Sequence, residues 1–201
     1  MTIMFWTLVG FLSGSVPYSL LLGRWLAHAD IRRYGDGNPG ASNAAKAGGW
    51  RVAAPALLLD YLKGAVPVGL AHLHAGLTGW GLLPVALAPV LGHAFSPWLR
   101  FRGGKAVTVT FGIWTGLTLW EGPTLLGTFL GLFYALLNAD AWCVMFALLG
   151  WLLYLLLRGG EPNLLAVWLG NILIVGWKHR RELRAPPRWR AYISRLWEGK
   201  R

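Results

Sequence analysis

Asp30-Ile-Arg-Arg-Tyr-Gly-Asp-Gly-Asn-Pro-Gly-Ala-Ser-Asn43 is polar, basic and glycine-rich, yet it follows directly on the apolar run at residues 4–27. Gly35, Gly37 and Gly40 allow tight turns that aim successive backbone N–H groups at one point. Arg32, Arg33 and Lys46 place positive charge around that point. Such a loop suits a phosphate, which takes both backbone donors and cations. A second loop of this kind, Arg100-Phe-Arg-Gly-Gly-Lys105, follows another apolar run. Two anion cradles at the ends of apolar segments predict an enzyme that handles phosphorylated substrates at a membrane surface.

Composition agrees with the membrane setting. Hydrophobic residues make up 55% of the 201 and charged residues only 13%, against about 25% charged in soluble domains. Of the 13 tryptophans, Trp6, Trp25, Trp50, Trp80, Trp98, Trp120 and Trp177 lie near segment ends, as an interfacial aromatic belt requires. Trp114, Trp151 and Trp168 lie inside segments and read as packing. One cysteine, Cys143, excludes an internal disulfide.

Seven apolar segments are expected, near residues 4–27, 52–72, 81–98, 106–120, 123–138, 141–157 and 163–177. The fold class is therefore all-α, a polytopic integral membrane protein in one domain over residues 1–201. The fourth and fifth segments are short for a span of about 20 residues, so they are tilted or form one re-entrant element. The first lacks a basic residue ahead of its apolar run and reads as a retained helix.

Connections 28–51, 99–105 and 178–201 carry four, three and nine Lys/Arg, whereas 73–80 and 121–122 carry none and 158–162 carries only Arg158. Positive residues stay in the cytoplasm. The N-terminus is then expected outside and the C-terminus in the cytoplasm, with both Gly-rich loops facing the cytoplasm. The net charge of +11 reads as topology plus attraction to anionic membrane lipid. No nucleic-acid partner is expected, because the charge flanks apolar helices and forms no separate soluble module.

Several single residues stay open between two roles. Asp60 and Lys63 share one helix face inside an apolar segment; they are a structural ion pair or part of a site. Ser15 is a substrate contact or a packing serine, and Pro17 beside it predicts a kink. His93 is a substrate contact or a helix-end histidine. Arg24 reads as snorkelling to the interface. Gly103, Gly104 and Lys105 are a phosphate loop or a short cytoplasmic turn; the pattern is not a P-loop, since the spaced first glycine and the Ser/Thr after the lysine are missing. No metal cluster is visible, and His72-Leu-His74 is not a convincing metal pair.

Taken together, these stretches resemble the PlsY-type family of bacterial membrane acyltransferases. The resemblance runs through Gly14-Ser-Val-Pro17, Asp30-Ile-Arg32 and Gly35–Asn43, then Asp60-Tyr-Leu-Lys-Gly64, then Gly92-His-Ala-Phe95 with Phe101-Arg-Gly-Gly-Lys105, and lastly His179-Arg180. It covers nearly the whole chain. There are departures. Asp36 stands where the family usually has serine, Lys46 where it has arginine, Ala106 where it has glycine, and Glu182 where it has asparagine. A family serine motif is absent from Leu137-Asn-Ala-Asp-Ala-Trp142.

The resemblance implies transfer of an acyl group from acyl phosphate to the 1-hydroxyl of glycerol 3-phosphate in a bacterial cytoplasmic membrane. The products are 1-acylglycerol 3-phosphate and phosphate, and no cofactor or metal is implied. Its implied substrate contacts are Ser15, Arg32, Gly37, Asn38, Gly40, Ser42, Asn43, Lys46, Lys63, His93, Gly103 and Gly104, with Lys105 and His179 as catalytic residues. A histidine near its ordinary pKa suits removal of a hydroxyl proton at neutral pH, and the alternative for His179 is a basic membrane-flanking residue. Glu182, one turn on, is expected to fix the imidazole tautomer. A non-catalytic or transport-type membrane protein that keeps the anion loops is the competing class. Acyl-chain preference and oligomeric state are not legible.

Overall fold

The structure is a computed structural model that describes residues 1–191 and 193. The helices are α1 (Thr2–Ser15), α2 (Tyr18–Leu26), α3 (Ala41–Gly48), α4 (Trp50–Gly69), α5 (Leu82–Ala94), α6 (Val107–Thr118), α7 (Glu121–Leu136), α8 (Asp140–Leu157) and α9 (Pro162–His179). Among the described residues, four helical stretches are long and apolar enough to cross a membrane: Thr2–Leu26, Trp50–His74, Gly79–Leu99 and Asp140–Leu157. The expected fourth and fifth segments are two separate helices, α6 and α7, which turn at Leu119 and Trp120.

Close backbone approach builds the bundle. In lipid, apolar side chains gain little by meeting one another, so helices associate through tight packing over small residues. A Cβ on Gly14 of α1 would fall 2.2 Å from the Pro89 carbonyl of α5, and one on Gly92 of α5 would fall 2.3 Å from the Phe11 carbonyl of α1. Between α4 and α6, a Cβ on Gly112 would meet the Tyr61 carbonyl at 2.2 Å. The helices approach this closely because glycines meet at the crossings, Gly92 against Gly14 and Gly112 against Gly64.

The remaining core is aromatic and selectively polar. Trp114 and Trp151 are fully buried and meet edge to face, with ring centroids 5.1 Å apart. Trp114 Nε1 donates to Asn171 Oδ1 at 3.1 Å, and Asn171 Nδ2 donates to Thr110 Oγ1 at 2.8 Å. These bonds link α6 to α9, while the buried Trp151 Nε1 has no hydrogen-bond partner among the described residues. Trp25, Trp50, Trp80, Trp98, Trp120 and Trp177 are exposed at the ends of the helices, where a belt belongs.

The first apolar segment is broken rather than merely kinked. Pro17 has no N–H, and its ring prevents the helix from continuing, so α1 ends at Ser15 and α2 begins at Tyr18. The carbonyls at the break find other donors. Lys63 Nζ donates to Val16 O at 3.0 Å, and Ser96 Oγ donates to Ser15 O at 2.6 Å. Lys63 also lies 2.7 Å from Asp60 Oδ1 as an ion contact, and Ser19 Oγ donates to Asp60 Oδ2 at 2.6 Å. The Asp60–Lys63 pair is buried and fastens the broken helix to α4.

Removing one buried partner strands the other charge, at a cost of about 3–5 kcal/mol, whereas neutralising both is far milder. Lys63→Met should lower the thermal midpoint of the detergent-solubilised protein markedly, and Lys63→Met with Asp60→Asn should recover much of the loss. A double variant no more stable than Lys63→Met would show that the pair does not act as a unit.

Candidate active site

The helix ends sort into two clusters. At one end, Thr78, Leu119, Glu121, Arg158 and Glu161 share a crevice. At the other end a cleft of about 910 Å³ gathers α3, the start of α6, the α7–α8 connection and the chain after α9. The two Gly-rich loops and His179 all meet there, although they are far apart in sequence.

The first loop is organised by Asp36. Its Oδ1 accepts from the Asn38 backbone N–H at 3.1 Å and from Asn43 Nδ2 at 2.8 Å. Asn43 Nδ2 donates also to the Asn38 carbonyl at 2.9 Å. Gly35 has φ +56°, and a Cβ there would lie 2.5 Å from Lys46 Nζ. The bare glycine thus leaves Lys46 room to lie across the loop. Asn38, Gly40, Ser42 and Lys46 line the cleft.

Lys105 joins the three segments. Its Nζ is 2.6 Å from Asp36 Oδ2 and 2.7 Å from Glu182 Oε1. Burial pushes the Asp36 carboxyl up, but hydrogen bonds from Lys105, Asn38 and Asn43 outweigh it and bring it down to about 2. Burial also opposes the Lys105 charge, and its hydrogen bonds to Asp36 and Glu182 more than offset that, so its pKa lies above the usual lysine value. A depressed carboxyl pKa stabilises above the ordinary carboxylate range and is lost as pH falls toward 2. The link between the loops is therefore intact throughout the neutral range. An ammonium has three donors, so two are engaged by carboxylates and one is left for a substrate.

His179 closes α9 and is buried at the cleft wall. Its Nδ1 is 2.9 Å from the Val175 carbonyl. A carbonyl only accepts, so Nδ1 carries the proton and Nε2 of the neutral ring is an acceptor. This fixes the tautomer from within α9. Glu182 was expected to do so, but its carboxylate is drawn to Lys105 instead.

The second loop is packed rather than open. A Cβ on Gly103 would lie 1.9 Å from the His93 carbonyl, and one on Gly104 would lie 2.2 Å from His93 Nε2. The glycines let the loop lie against the end of α5, and the Gly104 N–H donates to His93 O at 3.0 Å. Lys178 Nζ donates to Ala94 O and Gly103 O, both at 2.8 Å, and so holds the loop to α9. His93 and Lys105 reach the cleft; Gly103 and Gly104 place them.

Other expected contacts are placed elsewhere. Arg32 turns onto Asp30, whose carboxylate it meets through Nε at 2.9 Å and Nη2 at 2.6 Å. Ser15 Oγ donates to Leu12 O and accepts from Trp98 Nε1, so it packs the broken helix against the turn before the second loop. Lys63 is spent on Asp60 and Val16. Gly37, with φ +75°, shapes the loop without lining the cleft.

The sequence reading missed one wall altogether. After α9 the chain folds back over the α7–α8 connection. Asn138 N–H donates to Arg188 O at 2.8 Å, Arg190 N–H donates to Leu136 O at 3.0 Å, and Arg190 Nε donates to Tyr134 O at 2.6 Å. Trp142 Nε1 adds a bond to Ala185 O at 2.7 Å. Tyr134, Asn138, Asp140, Trp142, Pro186 and Arg188 consequently line the cleft. Pro186-Pro187 was the available signal, since such a pair ends a helix and redirects the chain.

Residues 4–185 match the family described as glycerol-3-phosphate acyltransferase. The chain belongs to that family. It is 40% identical over 190 residues to glycerol-3-phosphate acyltransferase 1 of Thermotoga maritima, covering 88% of this chain and 93% of the relative. It is 35% identical over 175 residues to glycerol-3-phosphate acyltransferase of a Synechococcus species, covering 87% and 86%. Its fold is similar to the crystal structure of PlsY, an integral membrane glycerol 3-phosphate acyltransferase, in its glycerol 3-phosphate form. The TM-score is 0.83 at 25% identity, over 92% of this chain and 91% of that one. The lysophosphatidic acid form of PlsY gives a TM-score of 0.82 at the same identity.

Ala106, at the usual glycine position of the second loop, has φ +65° and ψ 11°. Alanine in this left-handed region is strained by about 1–2 kcal/mol, partly offset by the chain entropy a glycine would lose. Ala106→Gly should therefore leave the thermal midpoint unchanged or raise it, by up to about 1 kcal/mol of stability. A clear loss would mean that the Ala106 methyl, buried in the core, contributes more than its backbone costs.

Proposed function

We propose that this chain transfers an acyl group from acyl phosphate to the 1-hydroxyl of glycerol 3-phosphate, giving 1-acylglycerol 3-phosphate and phosphate for membrane lipid synthesis. The carrying observation is one cleft lined by the first loop, by Lys105 and by His179. Membership of the family supports the acceptor and the transfer. Acyl phosphate as the donor is the reading the family resemblance implies, and the cleft is compatible with it. Acyl phosphate brings its own good leaving group, so no nucleophilic side chain is required. Cys143, the single cysteine, is buried in α8 and absent from the cleft lining.

The chemistry assigns each residue a task. Asn38, Ser42, Asn43 and Lys46 shape and charge the loop side, where a phosphate of glycerol 3-phosphate would be held. Lys105 offers its remaining N–H to a phosphate oxygen as a point charge. The glycerol hydroxyl attacks the acyl carbonyl and its proton passes to His179 Nε2. The tetrahedral intermediate then collapses, the bond from carbonyl carbon to phosphate oxygen breaks, and phosphate leaves with the electron pair. Holding both substrates in one cleft supplies the proximity term, and the nearby cations offset the repulsion of two phosphates.

Purified protein given palmitoyl phosphate and labelled glycerol 3-phosphate should form labelled lysophosphatidic acid without any added cofactor. His179→Ala should lower kcat by about 10²–10⁴-fold, the usual worth of a general base, with little change in either KM. Normal turnover in that variant would remove His179 from the chemistry and leave catalysis to the phosphate clamps.

We infer further that the cleft faces the cytoplasm of a bacterial cell, the N-terminus lies outside and seven segments cross the membrane. The support is that the cation-rich connections 28–51 and 99–105 and the described residues after α9 line the cleft. Reporter fusions at residue 75 and at the C-terminus should then locate to opposite sides. Both on one side would refute the seven-span topology.

A further inference from the structure

Two phosphates must occupy the cleft in the proposed reaction, but the cations foreseen from the sequence hold only one part of it. Lys46 lies over the first loop, and Lys105 is held between Asp36 and Glu182. Another stretch of the lining is built by the returning chain after α9. It carries Arg188, exposed and lining the cleft. No carboxylate among the described residues forms an ion pair with Arg188. Asp140 lines the same wall, but it stands in the first turn of α8, where the helix dipole favours an acid. The Arg188 backbone is fixed by the Asn138 N–H, and the next arginine, Arg190, is tied to Tyr134 and Leu136. A guanidinium on an anchored strand, facing a cleft and free of acid partners, is built to take an oxyanion in two-pronged fashion.

The position of this wall says which phosphate it takes. The strap lies on the α7–α8 connection, and the neighbouring cleft residues are Val107, Tyr134, Ala141 and Val144. Val107 and Val144 also line a small apolar crevice of about 10 Å³ among Phe111, Leu126, Leu130 and Leu148, where α6, α7 and α8 meet. A long acyl chain has its lowest cost on that apolar side, whereas the loop side offers Asp36, Asn38, Ser42 and Lys46. An acyl phosphate laid with its chain toward the crevice brings its phosphate to the strap.

We propose that Arg188 is the phosphate-binding residue for the acyl donor, held in place by the strap of residues 185–190. The assignment rests on the acyl phosphate reading of the reaction. It separates the two substrates: the donor phosphate belongs to Arg188, and the acceptor phosphate belongs to the first loop.

The test uses full-length protein in lipid nanodiscs, with KM measured for palmitoyl phosphate and for glycerol 3-phosphate. Arg188→Ala should raise the palmitoyl phosphate KM by about tenfold or more, the worth of one good charge-assisted pair, and leave the glycerol 3-phosphate KM within about twofold. Arg188→Lys should fall between, since it keeps the charge and loses the fork. An unchanged donor KM, or both KM values rising together, overturns the assignment. Calorimetric binding of a non-hydrolysable palmitoyl phosphonate separates this from the reaction itself. Wild-type protein that binds the phosphonate, loses that binding in Arg188→Ala and yet transfers no acyl group would sink the proposed reaction and keep the site. Wild-type protein that does not bind the phosphonate sinks the site.

Discussion

Pro17 imposes the constraint on which the rest of the structure depends. A proline inside an apolar helix removes one donor and displaces carbonyls that water cannot reach in a bilayer. Those carbonyls must be satisfied from neighbouring helices. Lys63 of α4 and Ser96 beyond α5 supply the donors, at 3.0 and 2.6 Å. The charge of Lys63 in turn requires Asp60, and Asp60 is completed by Ser19 of α2. The break thus recruits both neighbours on which the site is mounted. α2 leads into the first Gly-rich loop. Ser96 and Trp98, both bonded to Ser15, open the turn that leads into the second. The two loops converge because both are fixed to one defect in one helix.

Convergence brings a charge problem, and the chain meets it with a coupled pair of acids. Asp36 and Glu182 both depart from the pattern of the family, which has serine and asparagine there. Taken singly, each looks like a defect in an anion site. In the structure both carboxylates reach the same ammonium, Lys105, at 2.6 and 2.7 Å. A lysine between two acids is neutralised locally and held in position, whereas a lysine beside a serine and an asparagine would be a free charge. The two departures are compatible with each other in a way that neither is with the usual residues. They convert a loop-to-loop contact into an ion-paired joint between the first loop, the second loop and the tail.

Much of this was legible before any coordinates. The apolar segments, the tryptophans at their ends and the two glycine loops follow from composition and spacing, because burial in lipid and backbone geometry act locally. The Asp60–Lys63 spacing announced a shared helix face, and Pro17 announced a kink, which the structure makes a full break. The partners across space were not legible. Arg32 reads as a phosphate ligand from its neighbours in sequence, but Asp30 two residues away captures it. Glu182 reads as a partner of His179 by helical spacing, yet α9 ends at His179, so that spacing does not apply and Lys105 prevails. Arg188 lay in a basic tail whose charge was accounted for by topology, and only the fold-back over Asn138 brings it to the cleft. Each miss is a case of tertiary contact overriding a local rule.

The charge in the cleft then has a definite architecture. Lys46, Lys105 and Arg188 line it, and so do Asp36, Asp140 and Glu182, while Asp60 is already matched by Lys63. The sum is close to neutral, so net charge alone would not draw two phosphates in. Separation does the work instead. Lys105 is tied up with two carboxylates at the joint, and Lys46, on the first loop, and Arg188, on the returning chain, stand without acid partners among the described residues. A phosphate gains most beside one of those two and less at the neutralised centre. That arrangement favours two anions held apart, with their reacting ends directed inward toward His179. It also limits how tightly phosphate and lysophosphatidic acid are retained, since binding that holds substrates and products equally adds nothing to turnover.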